Sequence, residues 1–365
     1  MISFFLTTRC NLNCIYCYNV EERSRMVEKT LPIDIAKAGI DYFFDVSQSR
    51  HIRFYGPGEP TQEFELMKQI TEYTKTVCDD ITVEMQTNGV FGDAVRCWVL
   101  ENVNIVWMSF DGPPDIQNFN RPIIGKYPSA PTIETNIKWF NENRGNHNLM
   151  VGARVTMTDK NIHRQKEMVD YFYDLGIRYV WTDPLFPSVG KIPVCNDIKK
   201  NNEYVFNMDG YLNNYIEAYR YAQKKGMFYG SFLMCNFDGE ADINCRACLP
   251  APHLTPDGYV SACDMVVFGE NAYHMDCFIY GKWDAESKKF IFSHDKMEEL
   301  RNRSTNALSH CNGCEARLHC GGYCLGEIVN ETGMLTGQKP IICEAIRRLF
   351  KELEPITKPF EYFHP

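Results

Sequence analysis

Sixteen cysteines stand in this chain of 365 residues, and their spacing constrains it more than any other feature. Cys10, Cys14 and Cys17 form C-x3-C-x2-C within Cys10-Asn-Leu-Asn-Cys14-Ile-Tyr-Cys17. Cys248 is followed by nine residues, Gly258, four residues and Cys263. Cys311, Cys314, Cys320 and Cys324 then give C-x2-C-x5-C-x3-C, and Cys343 follows after a gap. Met1–Thr8 is a short apolar run without the basic region and cleavage site of a secretory signal. Nowhere do 18 consecutive apolar residues occur, so no membrane span is expected. The expected location is the cytoplasm, where structural disulfides are rare and thiolates in number read as metal ligands.

The rest of the composition is that of an ordinary globular protein, with 44% hydrophobic and 23% charged residues. At about 150 residues per domain, the length suggests two or three units. The formal charge of −9 argues against nucleic-acid binding through a broad basic surface.

From Ile2 to about Asp183, short β-rich runs alternate with amphipathic stretches. Strands are expected at Ile2–Thr7, His51–Phe54, Ile81–Thr87, Ile105–Phe110, Met150–Met157 and Tyr179–Thr182. Helices are expected near Ile33–Asp45, Thr61–Val77, Asp93–Asn102, Thr132–Asn143 and Arg164–Leu175. That alternation predicts an α/β fold: a parallel sheet with right-handed crossovers, doubly wound or curled into a partial TIM-like barrel. Either form binds ligands at the carboxyl ends of its strands. Cys10, Gly56, Asn88 and Asp111 all follow strand ends, so their loops are expected on one rim. Residues 1–190 would form this domain. Residues 191–234, after Pro184 and Pro187 and with Pro193 and a helical stretch Glu203–Lys225, would be a connector. Residues 235–350 would form a cysteine-rich domain with a turn at Thr255-Pro-Asp-Gly258-Tyr, and 351–365 a tail.

Three thiolates can hold three irons of a [4Fe–4S] cluster, leaving the fourth open to a ligand. The C-x3-C-x2-C loop resembles the signature of the radical SAM superfamily. The resemblance implies that the open iron binds S-adenosyl-L-methionine. Its reductive cleavage then yields methionine and a 5′-deoxyadenosyl radical that abstracts hydrogen from substrate. The other reading is a zinc knuckle completed by a histidine or a distant cysteine. Further residues match the superfamily's SAM contacts. Tyr16, before Cys17, matches the aromatic near the adenine. Gly56-Pro57-Gly58-Glu59-Pro60 resembles the loop that meets the SAM amino group, with Gly58 and Glu59 at the matching places and Pro57 a departure. Gln86-Thr-Asn88-Gly89 and Ser109-Phe-Asp111-Gly112 resemble the motifs lining the ribose and methionine. Arg121 matches a position that pairs with the SAM carboxylate, for which a guanidinium fork is suited.

The second set of cysteines is similar to the SPASM domain, a small cysteine-rich module that binds two auxiliary [4Fe–4S] clusters. Carried over, one cluster would take Cys248, Cys263 and Cys324, with Cys245 as fourth ligand, or Cys235, or none. The other would take Cys311, Cys314, Cys320 and Cys343. Three clusters in all are implied; a pair of structural zinc sites is the alternative. Cys78, Cys97, Cys195 and Cys277 fit no site and are expected to be buried and unreactive. Asp264 matches a substrate base of sulfatase-maturating relatives, the alternative being a hydrogen bond to cluster-loop amides. His253, His310 and His319 are expected to be ordinary solvated residues.

The resemblance implies an oxidoreductase that oxidatively modifies or crosslinks a residue of a ribosomally synthesised peptide. A second reading is an anaerobic sulfatase-maturating enzyme converting cysteine or serine to formylglycine; Tyr18-Asn19 and Pro57 depart from that group. A third is a non-catalytic Fe–S electron carrier or a zinc-binding interaction protein. The implied partners are a peptide or protein substrate and a flavodoxin- or ferredoxin-type one-electron reductant. With the first strand beginning at Ile2, leader recognition is expected to fall to a separate protein or to the barrel rim, or to be unnecessary. Neither nucleic acid nor membrane is expected.

Overall fold

The computed structural model describes residues 1–17, 19, 28–185, 206–234, 237, 239–270 and 272–353. Tyr18, Pro187, Pro193, Cys195, residues 203–205, Cys235 and the tail from Glu354 lie outside the described residues. The described strands are β1 (Ile2–Phe5), β2 (His51–Tyr55), β3 (Thr82–Thr87), β4 (Ile105–Ser109), β5 (Met150–Met157) and β6 (Tyr179–Pro184). They continue with β7 (Phe228–Ser231), β8 (His253–Leu254), β9 (Tyr259–Ser261), β10 (Ile279–Asp284) and β11 (Lys289–Phe292). The chain divides into two compact units, one of Cys10–Glu22 with Thr82–Ser231, the other of Met1–Arg9, Arg23–Ile81 and Phe232–Pro365.

In the first of these units β3, β4, β5, β6 and β7 pair side by side in sequence order, all parallel. Helices Asp93–Asn102, Ala130–Asn143, Gln165–Asp174 and Met208–Lys224 return the chain between them. Side chains alternate across a strand, so register sorts residues by face. The pairs Gln86↔Trp107, Ser109↔Arg154, Arg154↔Trp181 and Thr156↔Asp183 put one polar and aromatic set together. Val106, Ala153, Val180 and Tyr229 lie on the opposite face and are buried. There the Tyr211 hydroxyl donates to Ser231 Oγ at 2.9 Å, fastening Met208–Lys224 to β7.

In the second unit β1 lies between β2 and β8, parallel to both, and β8–β11 form an antiparallel ribbon. Phe4 and Phe54 pair across β1 and β2 and are fully buried. Register sets Ser3 opposite both Arg53 and His253, which the site uses below. Gly258 turns β8 into β9 with φ +82°, a left-handed conformation that glycine adopts freely.

The expected strands and helices of residues 2–184 match the observed ones to within a few residues. The seventh parallel strand was not expected. Because Met208–Lys224 leads into β7, that part of residues 191–234 continues the strand–helix alternation instead of linking two regions. The charged C-terminal helix runs from Pro340 to Glu352.

Candidate active site

The Cys10–Cys17 loop has almost no regular structure, so its shape comes from backbone bonds to the segment after β4. Asn13 N donates to Pro122 O at 2.8 Å and Ile15 N to Asn120 O at 2.9 Å. Asn11 Nδ2 reaches Val90 O at 2.9 Å, and Asn88 Nδ2 donates to Asn11 Oδ1 at 2.6 Å and lies 3.9 Å from Cys10 Sγ. The three cysteines are half-buried. Burial, opposed by Arg121 and aided by Cys17 and Cys10, pushes the Cys14 thiol up to about 12.

Beneath this loop lies the fully buried Asp111. Its Oδ2 accepts from Tyr16 OH at 2.5 Å and Asn120 Nδ2 at 3.0 Å, and its Oδ1 from Thr156 N at 3.0 Å. Arg121 Nη1 donates to the Tyr16 hydroxyl at 2.8 Å. Burial raises the Asp111 carboxyl above its usual range, with Arg121 the main opposing charge. Tyr16 is thus tied through its hydroxyl between an aspartate and an arginine. Among the described residues, two buried atoms here have no partner: Arg121 Nε, a donor, and Asn120 Oδ1, an acceptor. Gln86 and Ser109 stand on the polar face of β3 and β4, with Arg154, Trp181 and Asp183 abreast of them. Arg154 Nη2 donates to Asp183 Oδ2 at 3.1 Å and Trp181 Nε1 to Asp183 Oδ1 at 2.7 Å. Sequence reasoning missed this last trio; its only signal was the alternating register of β5 and β6.

In the other unit, Gly58 and Glu59 grip the backbone that leads into Cys10. Gly58 N donates to Thr7 O at 3.0 Å and Glu59 N to Arg9 O at 2.7 Å. A Cβ on Gly58 would lie 2.1 Å from Arg9 O, so no side chain fits. The buried Glu59 carboxylate accepts from Thr61 N and Thr61 Oγ1 at 3.1 and 2.9 Å.

Asp264 does not reach cluster-loop amides through Oδ1. That atom accepts from Arg53 Nη2 and, at 2.8 Å, from His253 Nε2. Arg53 is steadied by its Nε bond to Ser3 Oγ at 2.9 Å. Burial favours the neutral acid, but Arg53 and then His253 outweigh it and hold the carboxyl well below the usual range. His253 is therefore a buried hydrogen-bond partner of Asp264, not a solvated histidine. Its Nδ1 meets Ala251 O and Ser261 O at 2.8 and 3.0 Å.

The C-terminal thiols fall into two electrostatically coupled sets. Cys245 acts on Cys248, Cys263 and Cys324, and Cys263 on Cys324. Cys343, Cys311 and Cys314 act on Cys320, while Cys343 and Cys314 act on Cys311. Burial is the largest cause in each case and pushes Cys248 up to about 12 and Cys320 up to about 11. Gly326 leaves room for Cys263: a Cβ there would lie 2.6 Å from its Sγ. The expectation for the leftover thiols needs correcting, since Cys97 is exposed and Cys78 and Cys277 are only half-buried. Among the described residues no three Cys, His, Asp or Glu side chains gather as a single metal ion requires. A cluster spreads its thiolates over separate irons.

The profile of the Radical SAM superfamily matches residues 4–178. TigE of Paramaledivibacter caminithermalis, a radical SAM cyclopropyl synthase, is 22% identical over 96% of this chain and 73% of its own length. Residues 4–178 are a radical SAM domain. A cysteine-type anaerobic sulfatase-maturating enzyme of Clostridium perfringens is 22% identical over 86% of this chain and 85% of its own. An uncharacterised protein of Methanocaldococcus jannaschii is 30% identical over half of this chain, and the match spans only 62% of that protein. Beyond the matched residues, the likeness of fold to solved structures extends over nearly the whole chain. The solved structure of anSMEcpe with AdoMet and the Cp18Cys peptide superposes with TM-score 0.73 at 16% identity, covering 96% of both chains. Streptococcus suis SuiB with its precursor peptide SuiA gives TM-score 0.66 at 15% identity, over 94% of this chain and 75% of that one. The α/β architecture with its parallel strands and cysteine-rich C-terminal part is therefore that of this superfamily. Among the described residues no helix is long and apolar enough to cross a membrane.

Membership implies a [4Fe–4S] cluster and SAM, and the residues present fit both. Three mutually coupled thiols on one loop suit three-iron ligation. An unpartnered donor and an unpartnered acceptor on adjacent residues, Arg121 and Asn120, suit the carboxylate and amino group of an amino acid.

Proposed function

We propose that this enzyme oxidatively modifies or crosslinks a residue of a ribosomally synthesised peptide. Cys10, Cys14 and Cys17 would hold the SAM-binding cluster, with Tyr16, Gln86, Asn88, Ser109, Asp111 and Arg121 shaping the SAM site of their unit. Gly58 and Glu59 fix the approach of Thr7–Arg9 to Cys10. Cys245, Cys248, Cys263 and Cys324 would hold one auxiliary cluster, and Cys311, Cys314, Cys320 and Cys343 the other. Cleavage of bound SAM supplies the 5′-deoxyadenosyl radical that abstracts hydrogen from the peptide. A flavodoxin- or ferredoxin-type protein would deliver the initiating electron.

The observation that carries the preference is the state of Asp264. A base that must keep a substrate proton is favoured by a raised pKa. The pairing of Asp264 with Arg53 and His253 does the opposite and suits a standing negative charge that passes a proton on to water. The likeness to sulfatase-maturating enzymes that Asp264 suggested is thereby weakened, while TigE aligns over nearly the whole chain. Formylglycine formation is the second reading, favoured by the sulfatase-maturating relative.

The test uses anaerobically reconstituted enzyme with SAM and reductant. It is offered short peptides encoded beside its gene, and separately a sulfatase peptide bearing cysteine or serine. Mass spectrometry is expected to find loss of two hydrogens from an encoded peptide. Conversion of the sulfatase peptide to the aldehyde, with the encoded peptides untouched, would overturn the proposal in favour of the second reading.

A further inference from the structure

One buried cation lies outside every motif read from the sequence. Arg303, two residues beyond the helix His294–Arg301, is 3% exposed. Its Nη2 donates to Gly322 O at 2.7 Å and its Nε to Leu335 O at 3.3 Å, while Nη1 has no partner. Gly322 sits between Cys320 of one cysteine set and Cys324 of the other. A Cβ on Gly322 would fall 2.2 Å from Nη1, so the absence of a side chain there admits the guanidinium. The same Gly322 donates its N–H to the Cys320 thiol. The charge of Arg303 acts on Cys248 of the first set and on Cys311 of the second. Among the described residues no carboxylate pairs with it.

Arg303 also hydrogen-bonds the Cys248 thiol, and a permanent guanidinium buried among thiols with no carboxylate is costly unless something anionic meets it. A [4Fe–4S] cluster held by four thiolates carries a net double negative charge when oxidised and a third when reduced. We propose that Arg303 is a shared counter-cation for the two auxiliary clusters, positioned by Gly322 between the two cysteine sets so that it favours their reduced forms. The inference rests on the reading that these sets hold clusters. Charge and hydrogen bonds to sulfur set cluster potentials, so its effect is electrostatic and does not require Arg303 to touch the peptide. An auxiliary cluster that accepts an electron from an oxidised peptide residue needs such a bias.

The test is an EPR-monitored redox titration of the full chain, in a C10A/C14A/C17A background that leaves only auxiliary iron. R303M is expected to load the same iron and to weaken reduction of at least one cluster tenfold or more. For a one-electron couple that is a shift of about −59 mV. R303K, which keeps the charge, is expected to recover at least half of it. Full iron with unchanged potentials in R303M overturns the inference, as does an equal shift in R303M and R303K. Loss of iron in R303M restored in R303K supports a counter-charge; equal loss in both overturns it. A parent background that binds no iron refutes the cluster reading itself, which separates the two failures.

Discussion

D111N is the most revealing single change, because Asp111 is a buried carboxylate surrounded by donors. Tyr16 OH and Asn120 Nδ2 point at one oxygen and Thr156 N at the other. An amide has one acceptor oxygen where the carboxylate has two. With the oxygen kept toward Tyr16 and Asn120, its NH2 group confronts the Thr156 N–H at 3.0 Å and leaves that donor unsatisfied, costing about 1–3 kcal/mol. Flipping the amide strands two donors, so the first orientation is preferred. The substitution also removes the negative charge that Arg121 faces, a loss offset by relief of the burial that already disfavours that charge. A total of about 1–3 kcal/mol is therefore expected. With a urea slope of about 2–3 kcal/mol/M, the unfolding midpoint of the metal-free protein should fall by about 0.4–1 M. Four of the five tryptophans, Trp98, Trp107, Trp139 and Trp181, lie in this unit, so tryptophan fluorescence follows its unfolding. Because Tyr16 sits between Cys14 and Cys17, the same variant should also take up less iron on reconstitution. A midpoint within 0.3 M of wild type (roughly 1 kcal/mol) with full iron loading would refute the assignment of Asp111 as the anchor of the cysteine loop.

Other outcomes follow from the same geometry. G58A must push apart two backbone segments. Overpacking of about 1–3 kcal/mol and two weakened backbone bonds of about 1 kcal/mol each predict a loss of roughly 3–5 kcal/mol in calorimetric unfolding, and a change below about 0.5 kcal/mol would contradict the packing described. D264N is expected to keep its iron and its 5′-deoxyadenosine production but to lower peptide turnover by removing a standing negative charge from beside Arg53 and His253; undiminished turnover would remove Asp264 from the reaction. Burial raises the Asp264 carboxyl, but Arg53 and His253 depress it further, so its folded value lies below its unfolded one. Its stabilising contribution is therefore present above about pH 4 and lost as the pH falls through the depressed value. Asp264 should accordingly give no inflection in the pH–rate profile between about pH 5 and 8, and an inflection abolished by D264N would show the pairing to be broken in the working enzyme.

The sequence made the parallel strand–helix pattern legible because each strand carries its own apolar run and each crossover helix its own stripe. The grouping of the C-terminal cysteines was legible in part, since the spacing is local in Cys311–Cys324. What escaped was set by register and by distant pairings. Arg53 and Asp264 lie 211 positions apart and meet only because Ser3 on β1 stands opposite both Arg53 and His253. Gly58 read as a ligand-facing glycine, yet its open side is filled by the Arg9 carbonyl. Tyr16 read as the aromatic near the adenine, and nothing in its spacing foretold that its hydroxyl is engaged on both sides. The seventh strand was hidden because Phe228–Ser231 is only four residues long and carries a glycine. Arg303 has no motif around it and gains meaning only from Gly322 packing against it.

The central claim is tested most directly by incubating the anaerobically reconstituted enzyme with SAM and a strong reductant and measuring 5′-deoxyadenosine and methionine. The wild-type chain should form both in equal amounts, and C10A/C14A/C17A, folded and still holding its auxiliary iron, should form neither. Cleavage persisting in that triple variant, or absent from fully iron-loaded wild type, would contradict the account.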